Sequence, residues 1–176
     1  MKKFLQISIY WRAVGYIVIL LLSSCVTTRA PHFDFRELAK AAVRLDMDIA
    51  QDDNHRLYIE ASNWMGVPYR SGGTSMRGVD CSGFTSAIYK KVFHKKIERK
   101  ADDQRIKNCK KISKSHLEEG DLVFFHNGSR KRTASHVGIY LKQGRFIHAS
   151  SSRGVIVSKL SDSFYQHRWM QGGRVR

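Results

Sequence analysis

Apolar residues recur at helical spacing in the first half of the chain and alternate with polar ones in the second, so two kinds of element are expected. Phe35, Leu38, Ala39, Ala42 and Leu45 outline one amphipathic helix. Asp53 or Asn54 caps a second, with Leu57, Ala61, Trp64 and Met65 turned inward. Gly66-Val67-Pro68-Tyr69 ends that helix, and the glycine-bearing loop from Ser71 to Gly78 leads to Cys81. Phe84, Ile88 and Val92 share a helical face with Cys81, which predicts a buried helix beginning near that cysteine. After Leu122 the period shortens. Leu122 to Phe125, Val137 to Leu141, Arg145 to Ala149, Val155 to Val157 and Trp169 to Val175 read as strands, separated by turn residues such as Gly128, Gly144 and Gly154. Helices followed by a meandering antiparallel sheet make an α+β fold.

Length and composition fit one domain: 176 residues, 42% hydrophobic and 26% charged, with only two prolines. At this length the chain needs no partner to bury a core, and a monomer is expected. The segment 1–24 reads as a targeting signal, with Lys2, Lys3 and Arg12 ahead of or beside an apolar run from Ala13 to Leu22 that is too short to span a bilayer comfortably. It ends in Leu22-Ser23-Ser24-Cys25, which resembles a bacterial lipobox. That resemblance implies a mature chain starting at lipidated Cys25, a tether over 25–33, a single domain over 34–176 and acyl chains holding the protein to a membrane. An ordinary secreted chain or an uncleaved anchor are the alternatives. The formal charge of +16 falls to +13 once residues 1–24, with three basic and no acidic residues, are removed. Eleven basic and three acidic residues lie between Lys90 and Lys114, but few aromatics accompany them and the address is extracytoplasmic, so nucleic acid is not the expected partner. A solvated face that meets anionic lipid or wall polymer fits better.

With Cys25 acylated, Cys81 and Cys109 remain, and a disulfide between them would mask either thiol. Cys81 has the context of a nucleophile. Placed in the first turn of a helix, its thiolate is stabilised by unpaired N–H groups and the helix dipole. Asp80 could cap that helix, and Gly83 leaves room for a substrate chain. In Ser135-His136-Val137-Gly138-Ile139-Tyr140, strand alternation puts His136 opposite the apolar face, and in Phe146-Ile147-His148-Ala149 it does the same for His148. A tight hairpin at Gln143-Gly144 brings both histidines to one face. Such a set can hold a thiolate–imidazolium pair between Cys81 and His136, with His148 orienting the first ring. The same three residues are also common zinc ligands, although no CxxC or HExxH spacing accompanies them. His32, His55, His94, His116, His126 and His167 have no comparable context.

Six runs, Gly66-Val67-Pro68-Tyr69-Arg70, Gly72-Gly73-Thr74, Asp80-Cys81-Ser82-Gly83-Phe84, Glu119 to Phe125, Ser135 to Tyr140 and Phe146 to Ala149, together resemble the NlpC family of cell-wall cysteine peptidases, over about residues 57–176. The resemblance implies a papain-like α+β fold and cleavage of amide bonds in peptidoglycan stem peptides, commonly the bond from the γ-carboxyl of D-glutamate to diaminopimelate or lysine. Carried over by position, Cys81 is the nucleophile, His136 the base and His148 the third polar member. Tyr69 lies by the nucleophile, and Asp80 and Ser82 shape the substrate site. No metal or organic cofactor is implied. A lipid-anchored place in the bacterial envelope follows, on the periplasmic face of the outer membrane. An amidase or acyltransferase on this scaffold, or a wall-binding lipoprotein without activity, remain open. Where relatives carry Leu-Pro-Arg-Thr-Ser and a later Gln, this chain has Ile97-Glu98-Arg99-Lys100-Ala101 and Gln104, which leaves the stem-peptide preference open.

Overall fold

Leu38, Ala41 and Leu45 recur at helical spacing and form the inward face of α1 (Phe35–Leu45). The structure, a computed structural model, describes residues 35–176; the signal segment 1–24, Cys25 and the tether over 25–33 lie outside the described residues. The inward face of α1 is turned from the one the sequence suggests, since Ala41 is buried while Phe35 and Ala39 are exposed. In α2 (His55–Asn63) Asn54 is the cap, its side chain accepting the Leu57 N–H at 3.1 Å, and Leu57, Ala61 and Trp64 are buried as their spacing requires. The stretch after α2 runs beside a two-residue hairpin, β1 (Thr74–Ser75) and β2 (Gly78–Val79), through the pairing of Tyr69 with Val79. Asp80 then caps α3 (Cys81–Val92).

The rest is a six-stranded antiparallel sheet. Its strands are β3 (Cys109–Ile112), β4 (Leu122–Phe125), β5 (His136–Tyr140), β6 (Arg145–Ser150), β7 (Gly154–Lys159) and β8 (Trp169–Val175), in the order β3-β8-β4-β5-β6-β7. Two short helices, α4 (Ala101–Asp103) and α5 (Ser163–Gln166), sit in connections. β3 lies in the basic run and was not expected as a strand. It is an edge strand in which Cys109 turns inward while Lys110 and Lys111 face water, a use of charge that discourages pairing with other chains.

Both faces of the sheet are covered, which is why β4 reads as an unbroken apolar run. On one face Phe84 and Ile88 of α3 join Leu122, Phe124, Val137, Ile139 and Ile147, all with no exposed surface, and each such burial stabilises the fold by about 1.5–3 kcal/mol. On the other face Val123, Phe125, Phe146, Leu160 and Tyr165 form a smaller cluster. The β5–β6 connection is the two-residue turn expected at Gln143-Gly144. Both residues have positive φ (54° and 74°), the Arg145 N–H donates to the Lys142 carbonyl at 2.9 Å, and the Leu141 N–H donates to the Arg145 carbonyl at 2.9 Å, a one-residue shift that pairs Ile139 with Ile147.

Candidate active site

Helix capping sets the position of Cys81. The Asp80 carboxylate accepts the Gly83 N–H at 2.7 Å and the Gly72 N–H at 2.9 Å, which ties the start of α3 to the loop before it. The Phe84 N–H donates to the Asp80 carbonyl at 2.9 Å. The earlier N–H groups of the first turn, those of Cys81 and Ser82, face the Cys81 sulfur together with the Val137 N–H, which sets the thiol against the residue after His136. Gly83 does not open a path for substrate. A Cβ there would fall on the Gly73 carbonyl oxygen, so glycine is needed for the loop and helix to touch.

His136 and His148 come to the same face of the sheet, as the alternation of β5 and β6 requires. His136 Nε2 and His148 Nδ1 are 2.8 Å apart, with the rings edge to face. His148 is buried, and its Nε2 reaches both Ser158 Oγ and Tyr165 Oη at 3.0 Å. Ser158 and Tyr165 were not singled out from the sequence. Ser158 carries a weak signal, a polar residue of the same parity as Ile156 in an apolar run. Tyr165 enters from α5, a one-turn helix with no periodicity to read. If each imidazole donates from Nε2, the hydrogens run from His136 to His148 to the hydroxyls, and His136 Nδ1 is left to take a proton from the thiol.

A second cluster borders the nucleophile on the side of α3. Arg99 grips Asp80 with both guanidinium nitrogens, at 2.9 and 2.6 Å, and donates to Ser82 Oγ at 3.0 Å. Burial works to raise the Asp80 carboxyl, but Arg99 and the Gly83 and Gly72 N–H groups outweigh it and hold the carboxyl below its ordinary value. Tyr69 belongs to this cluster. Its phenol is raised first by burial and then by the charges of Cys81 and Asp80, with Arg99 opposing. Gln104, fully buried, accepts from Thr85 Oγ1 at 2.9 Å and donates to the carbonyls of Ser82 and Glu98 and to Ser86 Oγ. Asp102 accepts the Ala134 N–H at 2.8 Å. The segment that departs from the family pattern therefore clamps the Cys81 helix to the strand entry that carries His136.

Burial decides the resting charges. It pushes the Cys81 thiol above its ordinary value, with the N–H groups at the sulfur opposing and the Asp80 charge adding. Burial also takes His136 down from 6.5 to about 4 and, helped by His136 and Arg153, holds His148 well below its ordinary value. Burial thus favours the neutral form of the thiol and of the imidazole, each taken alone. Cys81 and Cys109 are both free thiols, so no disulfide masks the sulfur. This arrangement can deliver a sulfur nucleophile as its proton leaves for His136, with N–H donors ready for an oxyanion.

Known proteins resemble this chain in sequence and in fold. The chain is 33% identical over 169 residues to murein DD-endopeptidase MepS/murein LD-carboxypeptidase of Escherichia coli K12, covering 90% of this chain and 88% of that one. It is 36% identical to probable endopeptidase NlpC of the same organism, covering 90% and 96% respectively. The crystal structure of an NlpC/P60 family protein from Bacillus cereus superposes with a TM-score of 0.64 and 33% identity over 73% of this chain and 42% of that one. The family model described as NlpC/P60 matches residues 66–174, from the turn before Tyr69 to the last strand. A match over that span makes the chain a member of the NlpC/P60 family.

Proposed function

We propose that the protein is a cysteine peptidase that hydrolyses amide bonds in peptidoglycan stem peptides, acting as a monomer anchored to the bacterial envelope through a lipid on Cys25. The observation that carries this reading is the 2.8 Å bond from His136 to His148 behind a cysteine at a helix N-terminus. In the forward step Cys81 Sγ attacks the scissile carbonyl carbon while His136 Nδ1 takes the thiol proton, and the Cys81 and Ser82 N–H groups receive the oxyanion. The C–N bond then breaks as His136 returns the proton to the leaving amine, leaving a thioester. Water adds to the thioester with His136 again as base, and collapse releases a carboxylate and restores the thiol. His148 holds the His136 ring, while Tyr69, Asp80 and Ser82, with Arg99 behind them, border the acyl side.

The bond from the γ-carboxyl of D-glutamate to diaminopimelate or lysine is the one proposed. A DD bond between stem peptides is the second reading, favoured by the name of the MepS relative. Synthetic stem peptides carrying one bond or the other separate them by product mass.

Replacing Cys81 with Ala lowers kcat/KM by about 10^3-fold or more, and His136→Ala approaches it. His148→Gln is milder, about 10^2-fold or less, because its amide oxygen can still accept from His136 Nε2. Full activity in Cys81→Ala, or equal tolerance at the two histidines, contradicts the roles. The acid limb of kcat/KM is a second check. His136 serves as base only while neutral, so activity holds as pH falls through 6.5 and is lost near the His136 value of about 4. An acid limb at 6.5 or above would mean that burial does not govern this ring. Labelling of cells with a fatty-acid analogue tests the anchor: Cys25→Ala removes the label, and a label that survives the change refutes lipidation at Cys25.

A further inference from the structure

A cleft of about 550 Å³ opens on the far side of the histidine pair, away from the Asp80–Arg99 cluster. His136 and His148 line it, while Cys81, Tyr69, Asp80, Ser82 and Arg99 do not. Its size is that of a site for a small molecule or a peptide residue. Two of its lining side chains are cationic, Arg153 from the β6–β7 turn and Arg168 from the approach to β8, against one acid, Asp162. The Asp162 carboxylate already accepts the Lys159 N–H at 3.1 Å, within its own turn. Arg168 is held in place: its guanidinium lies 3.8 Å from the centre of the Phe164 ring and donates to the Phe164 carbonyl at 3.3 Å. A guanidinium held over an aromatic ring by cation–π attraction still has N–H groups with which to meet a planar carboxylate. The Arg153 charge reaches the cleft floor, since it is felt at His148.

Direction along the substrate follows from the reaction. His136 protonates the leaving amine, so the fragment that carries that amine must lie against His136, whereas the acyl fragment lies toward the helix N–H groups of Cys81 and Ser82. The Arg153–Arg168 cleft is the space on the His136 side. We propose that this cleft is the subsite for the amine-side residue of the substrate, and that Arg153 and Arg168 select a residue bearing a free carboxylate. Diaminopimelate supplies such a carboxylate on its side chain, while lysine does not. The inference rests on the peptidase reading above and adds to it which half of the substrate is recognised by charge.

Two stem peptides that differ in one group on the amine-side residue, a free side-chain carboxylate or its carboxamide, isolate the effect. The full-length protein cleaves the carboxylate substrate with a kcat/KM about tenfold or more above the carboxamide, the size expected of a charge-assisted pair. In Arg153→Gln and Arg168→Gln that ratio falls toward one, through loss on the carboxylate substrate, and Arg168→Lys restores part of it. Arg153 is exposed, so its replacement leaves the core intact and keeps the ratio measurable. Equal rates in the unaltered protein, or a ratio unchanged in both Gln variants, overturn the subsite and leave the peptidase reading standing. Cleavage of neither peptide by the unaltered protein overturns both.

Discussion

The contact between His136 Nε2 and His148 Nδ1 is the interaction on which the rest of the site depends. An imidazole offers one donor and one acceptor when neutral, so committing one nitrogen to a fixed partner dictates what the other can do. His148 is committed in turn, on its Nε2, to the hydroxyls of Ser158 and Tyr165. Burial of His148 makes this chain rigid, because a ring that left it would strand a polar atom away from water. Burial also favours the neutral form of both rings. A neutral ring can accept a proton, which is what the proposed attack by Cys81 asks of His136.

Positioning Cys81 is the work of a different part of the chain. Asp80 caps the helix and is itself held by Arg99, so one carboxylate starts the helix, anchors the Gly72 loop and pairs with a partly exposed cation. Gln104 and Asp102 then bind the same segment to α3 and to Ala134 just ahead of β5. Cys81 and His136 lie more than fifty residues apart in sequence, and residues 98–105 tie together the elements that carry them. Breaking a buried or half-buried hydrogen bond in that clamp costs about 1–3 kcal/mol and loosens the pair at the same time. The departures at Glu98, Lys100 and Ala101 spare Arg99 and Gln104, which with Asp102 make the clamp.

Much of this was legible in the sequence because it rests on period. Alternation in Ser135 to Leu141 and in Phe146 to Ala149 marks His136 and His148 as facing away from the apolar side of each strand, and the Gln143-Gly144 turn makes the two strands neighbours, while the one-residue shift at the Leu141–Arg145 bond is what sets both rings on one face. Helical spacing from Cys81 to Val92 likewise puts the thiol at the start of a buried helix. What stayed hidden is tertiary. Ser158 and Tyr165 reach His148 from elements whose local patterns do not mark them, and the partnership of Arg99 with Asp80 spans nineteen positions. The role of Gly83 depends on where the Gly73 carbonyl falls, and β3 hides in a lysine-rich run because an edge strand has no need of an apolar pattern. Desolvation of Cys81 and His136 is hidden for the same reason: helix dipole and neighbouring imidazole can be read from a motif, but burial cannot.

Covalent chemistry at Cys81 is the claim from which the others follow, and it can be seen directly. Rapid mixing of the protein with a stem peptide, an acid quench and mass measurement of the intact chain should give an adduct equal to the acyl half of the peptide. That adduct should map to Cys81, release on hydroxylamine treatment as a thioester does, and be missing from Cys81→Ala. Turnover with no adduct on Cys81 at any mixing time, and with the Cys81→Ala protein equally active, would contradict the account.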